Sequence, residues 1–415
     1  MKINLTSIWE AGLPRIDLSD IDRAIYLQAR AFQSGKQSNK EDGFGGWGQF
    51  LDINPARTQI GTYGTSSGTV VLDNASGPDA VLTDVKNFLR DIWMREETTQ
   101  NKAGRRFSQN LKLFVFYLAI SKLQDQEFEA LQEEMKFEIK KRQLPNGLWG
   151  DWWIDEDDHD PVEKVFPSSI ALLCLAHSGT PLEFDVSASL ERLTSLVSYT
   201  KDIPPAFLAA AISALAHYPD INLHPNIYDS AKDLVWSDPP EVNEESLYIY
   251  EYKHLDSAGG KVWKTEIFSF PHALLLGLAA LRFRDELVFS VFCRNTAERL
   301  LKLVIDHDGM LPSDAEMRTH CMPQMWCSLF LVRYREQLFS PNWIQRFMFN
   351  VMSPQSRSFF WYKLLPVFAM PSLAIANVMV PDQETGWRVL VSFSTVLVAG
   401  VWGPDVIRRW LPGGH

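Results

Sequence analysis

Six turn-like breaks, four of them rich in glycine, recur along this chain at a spacing of roughly 45 to 60 residues, and that period constrains the fold more than any other feature. They are "EDGFGGWG" from Glu41, "LPNGLWG" from Leu144, "AGGKVW" from Ala258 and "DHDGMLP" from Asp306, with two weaker breaks between them, "NKAGRRF" from Asn101 and "TKDIPPAF" from Thr200. After each break comes a helix-like run of apolar or small residues: "RTQIGTYGTSSGTVVL", "FSQNLKLFVFYLAISKL", "FPSSIALLCLAHSG", "PPAFLAAAISALAHY", "EIFSFPHALLLGLAALRF" and "HCMPQMWCSLFLVRY". Each run is paired with a segment charged on one face, such as "DAVLTDVKNFLRDIW" or "EFEALQEEMKFEIKKRQ". A helix apolar on every side is buried all round, whereas an amphipathic one keeps a wet face. Six buried helices ringed by six amphipathic ones predict an all-α fold, an (α/α)6 toroid of six helical hairpins. An open α-solenoid of helix pairs is the alternative. The predicted toroid occupies residues 1–340, and a separate segment, 341–415, follows it.

One turn carries a resemblance. In "QLPNGLWG", Gln143, Gly147 and Trp149 fall in the Q-x-x-x-G-x-W pattern of the squalene–hopene cyclase family, and "EDGFGGWG" and "DHDGMLP" look like degenerate copies. The layout over about residues 15 to 340 is similar to the toroids of terpenoid cyclases and protein prenyltransferases. Physically, the glycine permits the tight turn, the glutamine can bond free backbone groups, and the tryptophan covers the adjoining helix end. Those tasks speak for fold and hardly for chemistry.

The resemblance implies a catalytic site at the mouth of the inner barrel. Class II cyclases of that family protonate an alkene with a D-x-D-D motif at an inner-helix start, and "DEDD" at Asp155–Asp158 fits by letter, with Asp155, Asp157 and Asp158 as the candidate acids. It departs in position, because "HDPVEKVFPSS" precedes "IALLCL" and Ser168 and Ser169 stand where the acids would be. Protonating an alkene needs a strong acid held dry and aimed at its substrate. "DEDDHD" is read as a solvated loop, with a divalent-cation or docking site and a displaced acid as its competitors. No cofactor is predicted, and Mg enters only if that acidic loop is functional.

Protein prenyltransferases hold zinc with Asp, Cys and His. His320, Cys321 and Cys327 share the segment "HCMPQMWC", but six residues on a helix put the two thiols on different faces, so no metal site is predicted. His272 and His320 are weak catalytic candidates, and both are expected at inner-helix starts, His272 beside Glu266. The ligand-facing lumen is predicted to contain Arg57, Gln59, Tyr63, Ser168, His272, His320 and Gln324. A phosphate-loop motif of the G-x-x-x-x-G-K-S/T kind is absent from the sequence.

The net charge of −11 argues against nucleic acid as a partner. Residues 341–415 carry six Arg or Lys and three Asp or Glu, a net of +3, which leaves −14 on the first 340. Four irregularly spaced cysteines and no apolar leader suggest a reducing, cytoplasmic setting for the body. The tail then switches pattern: Leu364–Pro381 and Val389–Pro404 are uncharged runs of eighteen and sixteen residues joined by "DQETGWR". As helices they would span roughly 27 and 24 Å against a hydrocarbon core of about 30 Å. Aromatic residues flank both runs, and the excess of basic residues on the terminal side predicts a membrane hairpin with the toroid facing the cytoplasm. A re-entrant insertion and a hairpin packed on the toroid are the alternatives.

Two classes of function follow. One is a membrane-anchored protein whose toroid binds a partner or ligand as a sensor, or which disrupts membranes as an effector of the kind used in antiviral defence. The other is a terpenoid cyclase or prenyltransferase-like enzyme with an isoprenoid substrate reached from the bilayer. Membrane lipids, a second copy of the chain, and a protein or isoprenoid ligand are the expected partners.

Overall fold

The computed structural model describes residues 16–39, 43–51, 60–77, 80–98, 110–123, 125–150, 161–179, 185–200, 203–218, 225–237, 247–254, 261–268, 270–283, 287–312 and 319–339. The chain divides into two compact units, Asp17–Gln337 and a second composed of Met1–Ile16 with Leu338–His415. Both apolar runs of the tail belong to the second unit and lie outside the described residues. Among the described residues, no helix is long and apolar enough to cross a membrane.

The described residues are mostly helical, with twelve helices among them. In chain order the elements are α1 (Leu18–Gly35), β1 (Gln37–Asn39), β2 (Phe44–Gly46), α2 (Thr62–Ser76), α3 (Thr83–Thr98), α4 (Asn110–Lys122), α5 (Gln126–Lys141), α6 (Val165–Ser178), α7 (Ser187–Tyr199), α8 (Pro205–Ala216), α9 (Pro225–Ser237), β3 (Leu247–His254), β4 (Lys261–Phe268), α10 (Phe270–Arg282), α11 (Leu287–Asp306) and α12 (Cys321–Phe339).

The odd-numbered helices are amphipathic. In α5, Phe128, Gln132, Met135, Lys136 and Ile139 are buried, the spacing of one helix face. Asp125 caps its first turn by accepting from the Glu127 N–H, and acids at its start with lysines at its end complement the helix dipole. The even-numbered helices have middle turns buried on every side: in α4, every residue from Leu113 to Ile120 is fully enclosed.

Neighbours follow a regular order. Helix α2 lies beside α4, α4 beside α6, α6 beside α8, and α8 beside α10. Helix α12 touches α10, where a side chain on Gly277 would meet the Phe330 ring at 2.7 Å and Gln337 Nε2 donates to the Leu281 carbonyl at 2.9 Å. It also touches α2, through Asn74 Nδ2 donating to Ser328 Oγ at 3.1 Å. The amphipathic helices behave likewise. Lys36 beyond the end of α1 pairs with Asp84 on α3, Trp93 on α3 donates to Glu134 on α5 at 2.9 Å, and Gln143 just past α5 donates to Ser189 on α7 at 2.6 Å. Helices α7 and α9, α9 and α11, and α11 and α1 are then in contact.

One part departs from expectation. The "AGGKVW" break does not join two helices: its Lys261, Val262 and Trp263 open β4, which pairs antiparallel with β3 from Leu247↔Phe268 to His254↔Lys261. Glu266 is therefore on β4, not beside His272 on a helix start, and α10 begins only at Phe270.

Candidate functional site

The two ends of the apolar helices are built differently. At the N-terminal end, three turns share one bonding scheme. Gly43, Gly147 and Gly309 have left-handed backbones, φ 68, 85 and 93, which an L side chain resists. The backbone of Trp47, Trp149 or Leu311 follows, and the fourth residue of the next apolar helix bonds to it. Thr65 Oγ1 accepts from the Trp47 N–H at 3.2 Å. Ser168 Oγ accepts from the Trp149 N–H at 2.9 Å and donates to the Trp149 carbonyl at 3.1 Å. Gln324 Nε2 donates to the Leu311 carbonyl at 2.8 Å. The indoles reach back to the preceding amphipathic helix: Trp47 Nε1 donates to the Phe32 carbonyl at 2.6 Å and Trp149 Nε1 to the Ile139 carbonyl at 2.8 Å. Gln143 Nε2 donates to the Gly147 carbonyl at 3.0 Å.

These bonds locate several candidates from the sequence. Ser168 and Gln324 are buried and hold turns, and Gln324 Oε1 also accepts from Gln28 Nε2 at 3.3 Å. His320 Nε2 meets the Gln49 side-chain amide at 2.7 Å, its Nδ1 accepts from the Met322 N–H at 3.2 Å, and its ring packs edge-on against Phe50. Tyr63, half-buried, lies under Lys112 Nζ at 5.9 Å. His272 sits on α10, but its side chain is outside the described residues, as are Arg57, Gln59, Asp155, Asp157 and Asp158. Helix α6 begins at Val165, earlier than expected, so residues 159–164 alone separate Asp158 from it. Cys174, Cys293, Cys321 and Cys327 are free and buried, and Cys321 Sγ donates to the Gly48 carbonyl at 3.2 Å. Among the described residues, no group of three His, Cys, Asp or Glu side chains could hold a metal ion.

At the C-terminal end, the sequence reading missed a polar cluster. Each apolar helix brings at least one ionisable group there: Asp73 from α2, Lys122 from α4, His177 from α6, His217 at the end of α8, Arg282 from α10, and Arg333 and Glu336 from α12. Lys122 lies within electrostatic reach of Asp73, Arg333 and Glu336, and His177 within reach of His217, Arg333, Lys122 and Arg282. The C-terminal portions of all six helices therefore meet. The cluster is graded in depth: Arg282 and Arg333 are exposed, Asp73, Lys122 and His217 half-buried, and His177 buried.

Its bonds tie neighbouring helices together. Lys122 Nζ donates to the His177 carbonyl at 2.7 Å, and Arg282 Nε to the Ala216 carbonyl at 3.3 Å. Cations at helix C-termini also complement the negative dipole ends. The His177 and His217 rings are 4.7 Å apart, and His217 Nδ1 donates to the Ser213 carbonyl at 2.7 Å. Burial, with His217 and the three cations adding to it, pushes His177 well below the ordinary imidazole value. Burial likewise brings His217 down to about 4. Both rings are uncharged at neutral pH. Burial lowers Lys122, partly offset by Asp73, and raises the Asp73 carboxyl, partly offset by Lys122. Among the described residues, His177 Nε2 is buried without a hydrogen-bond partner.

No protein-family model matches the chain, and no curated protein matches it.

Proposed function

We propose that the protein is a membrane-associated α/α toroid that binds a ligand or partner at the polar mouth of a filled inner barrel, as a sensor or membrane-acting effector rather than a cyclase. In this reading the even-numbered helices are an inner ring of six and the odd-numbered ones an outer ring, the layout that the Gln143–Gly147–Trp149 turn resembles. The contacts of α12 with both α10 and α2, and of α11 with both α9 and α1, support closure.

The observation that carries the non-catalytic part is the burial of the inner helices. Leu113 to Ile120, Ile170 to Cys174 and Ala209 to Ile212 are fully enclosed. Residues with no accessible surface border no water-sized space, whereas a pocket for a small organic substrate measures about 300–1,000 Å³. Small residues (Ser66 and Ser67 on α2; Ala209, Ala210 and Ala211 on α8) allow the close approach that fills the centre. The hydroxyl of Ser168, where the family's acids would stand, is engaged by its turn. Binding chemistry is left to the mouth where Lys122, His177, Arg282 and Arg333 meet.

The proposal assigns the membrane tether to Leu364–Pro381 and Val389–Pro404, with the toroid on the cytoplasmic side. Alkaline carbonate extraction of membranes from expressing cells tests it. The full chain is expected in the pellet, and Ile375→Arg with Val396→Arg should release it, since each central arginine disfavours insertion by about 2.5–3.5 kcal/mol. A full chain that stays in the supernatant contradicts the tether. Conversion of an isoprenoid diphosphate to a cyclised product, abolished by Asp155→Ala with Asp157→Ala and Asp158→Ala, contradicts the non-catalytic reading.

A further inference from the structure

We infer that the polar mouth is a phosphate-binding site, formed by Lys122, Arg282 and Arg333 around the buried imidazole of His177. This rests on the proposed function, because it gives that mouth a ligand.

Helix-end neutralisation accounts for only part of the cluster. It explains Lys122 and Arg282, each of which donates to a neighbouring helix's last-turn carbonyl. Yet a lysine ammonium has three donors and a guanidinium five, so both keep capacity for an acceptor. Helix-end neutralisation does not explain Arg333, which stands exposed with Glu336 at 2.8 Å. Nor does it explain His177 Nε2, enclosed in the same cluster with no protein acceptor or donor among the described residues. Leaving such a buried polar atom unmade is destabilising, and a ligand oxygen would relieve it.

The facing groups are Asp73 on α2, Lys122 on α4, His217 at the end of α8, Arg282 on α10, and Arg333 and Glu336 on α12. Three cations against two carboxylates give a local surplus of positive charge on a chain whose net charge is −11. Lys122, Arg282 and Arg333 come from three different helices, and the buried imidazole of His177 lies within electrostatic reach of all three. Cationic donors on three helices suit the three or more acceptor oxygens of a phosphate better than the two oxygens of a carboxylate. The phosphate belongs either to a soluble phosphomonoester or to a lipid headgroup.

The test is calorimetric titration of the detergent-solubilised full chain with inorganic phosphate at constant ionic strength. The expected result is saturable binding, about tenfold weaker in Arg333→Gln and in Lys122→Gln. Arg294→Gln, at an α11 arginine paired with Glu298 and not among the facing groups, should bind as the unmodified chain does. Arg333 makes one exposed ion pair, so its variant keeps the test informative if the Lys122 variant fails to fold. Vesicles containing phosphatidate, with pure phosphatidylcholine as control, separate the sources: displacement of phosphate by phosphatidate supports a headgroup, and saturable phosphate binding without displacement supports a soluble ligand. Titration without saturation, or equal weakening in Arg294→Gln, overturns the site. Neither result bears on carbonate extraction, so this inference and the tether fail separately.

Discussion

Ser168 shows how much of this fold is held by single side chains. Its hydroxyl satisfies both the N–H and the carbonyl of the fully buried Trp149. Ser168→Ala leaves those groups enclosed and unpaired, and is expected to destabilise the protein by about 1–3 kcal/mol in chemical denaturation. An unchanged denaturation midpoint would show that the turn does not depend on this bond. His177 and His217 set the response to acid. Both are depressed in the folded state, so the unfolded chain takes up protons first, below the ordinary imidazole value near 6.5. Stability is expected to be intact above that pH and to fall as pH drops towards about 4, the value for His217, each histidine adding a slope of up to about 1.4 kcal/mol per pH unit. Asp73, raised by burial, acts in the opposite direction at the acid end. Urea midpoints at several pH values check the sign, and His217→Gln should flatten the slope. A midpoint that rises on acidification contradicts the buried neutral pair.

At the scale of elements, the glycine turns separate two effects that a sequence shows as one. Gly147 and Gly179 both have left-handed backbones, φ 85 and 73. A side chain at Gly179 would meet nothing within 4 Å, whereas one at Gly147 would lie 2.9 Å from the Ala188 backbone on α7. Gly179→Ala is expected to destabilise by about 1–2 kcal/mol from conformation alone. Gly147→Ala should exceed it, because the next amphipathic helix must also move. Equal losses in thermal unfolding would show that α7 does not press on the turn. The turns were legible because a tight left-handed bend selects glycine wherever it occurs. The bonds that finish them were only partly legible, since Thr65, Ser168 and Gln324 perform one task with three residue types. The β3–β4 hairpin was missed because "EIFSFPHALLL" reads through as one apolar segment. The overlooked signal was the alternation of Tyr248, Tyr250 and Tyr252, a period of two that no helix produces.

For the molecule as a whole, the polar cluster illustrates what local pattern cannot convey. Each apolar run ends on or just before one charged or imidazole residue, as in "VLD" at Asp73, "ISK" at Lys122, "LAH" at His177 and at His217, "ALR" at Arg282 and "LVR" at Arg333. The pattern is visible in the letters, but those residues form a site only if six helices that are distant in sequence bring the same ends together. Of the lumen candidates, Ser168 and Gln324 bond to turns, because a polar residue at a helix start is as readily a turn fastener as a ligand contact. Everything proposed for the mouth therefore depends on α12 closing against α2. Asn74 and Ser328 are 254 residues apart in sequence, with their side chains bonded at 3.1 Å. Oxidation of the full chain carrying Asn74→Cys and Ser328→Cys measures that closure directly, since the four native thiols are buried. A closed ring predicts rapid, near-complete formation of an intramolecular disulfide that changes mobility on a non-reducing gel and is absent from either single variant. Two thiols that stay reduced in the folded protein, or that bond only between chains, would contradict it.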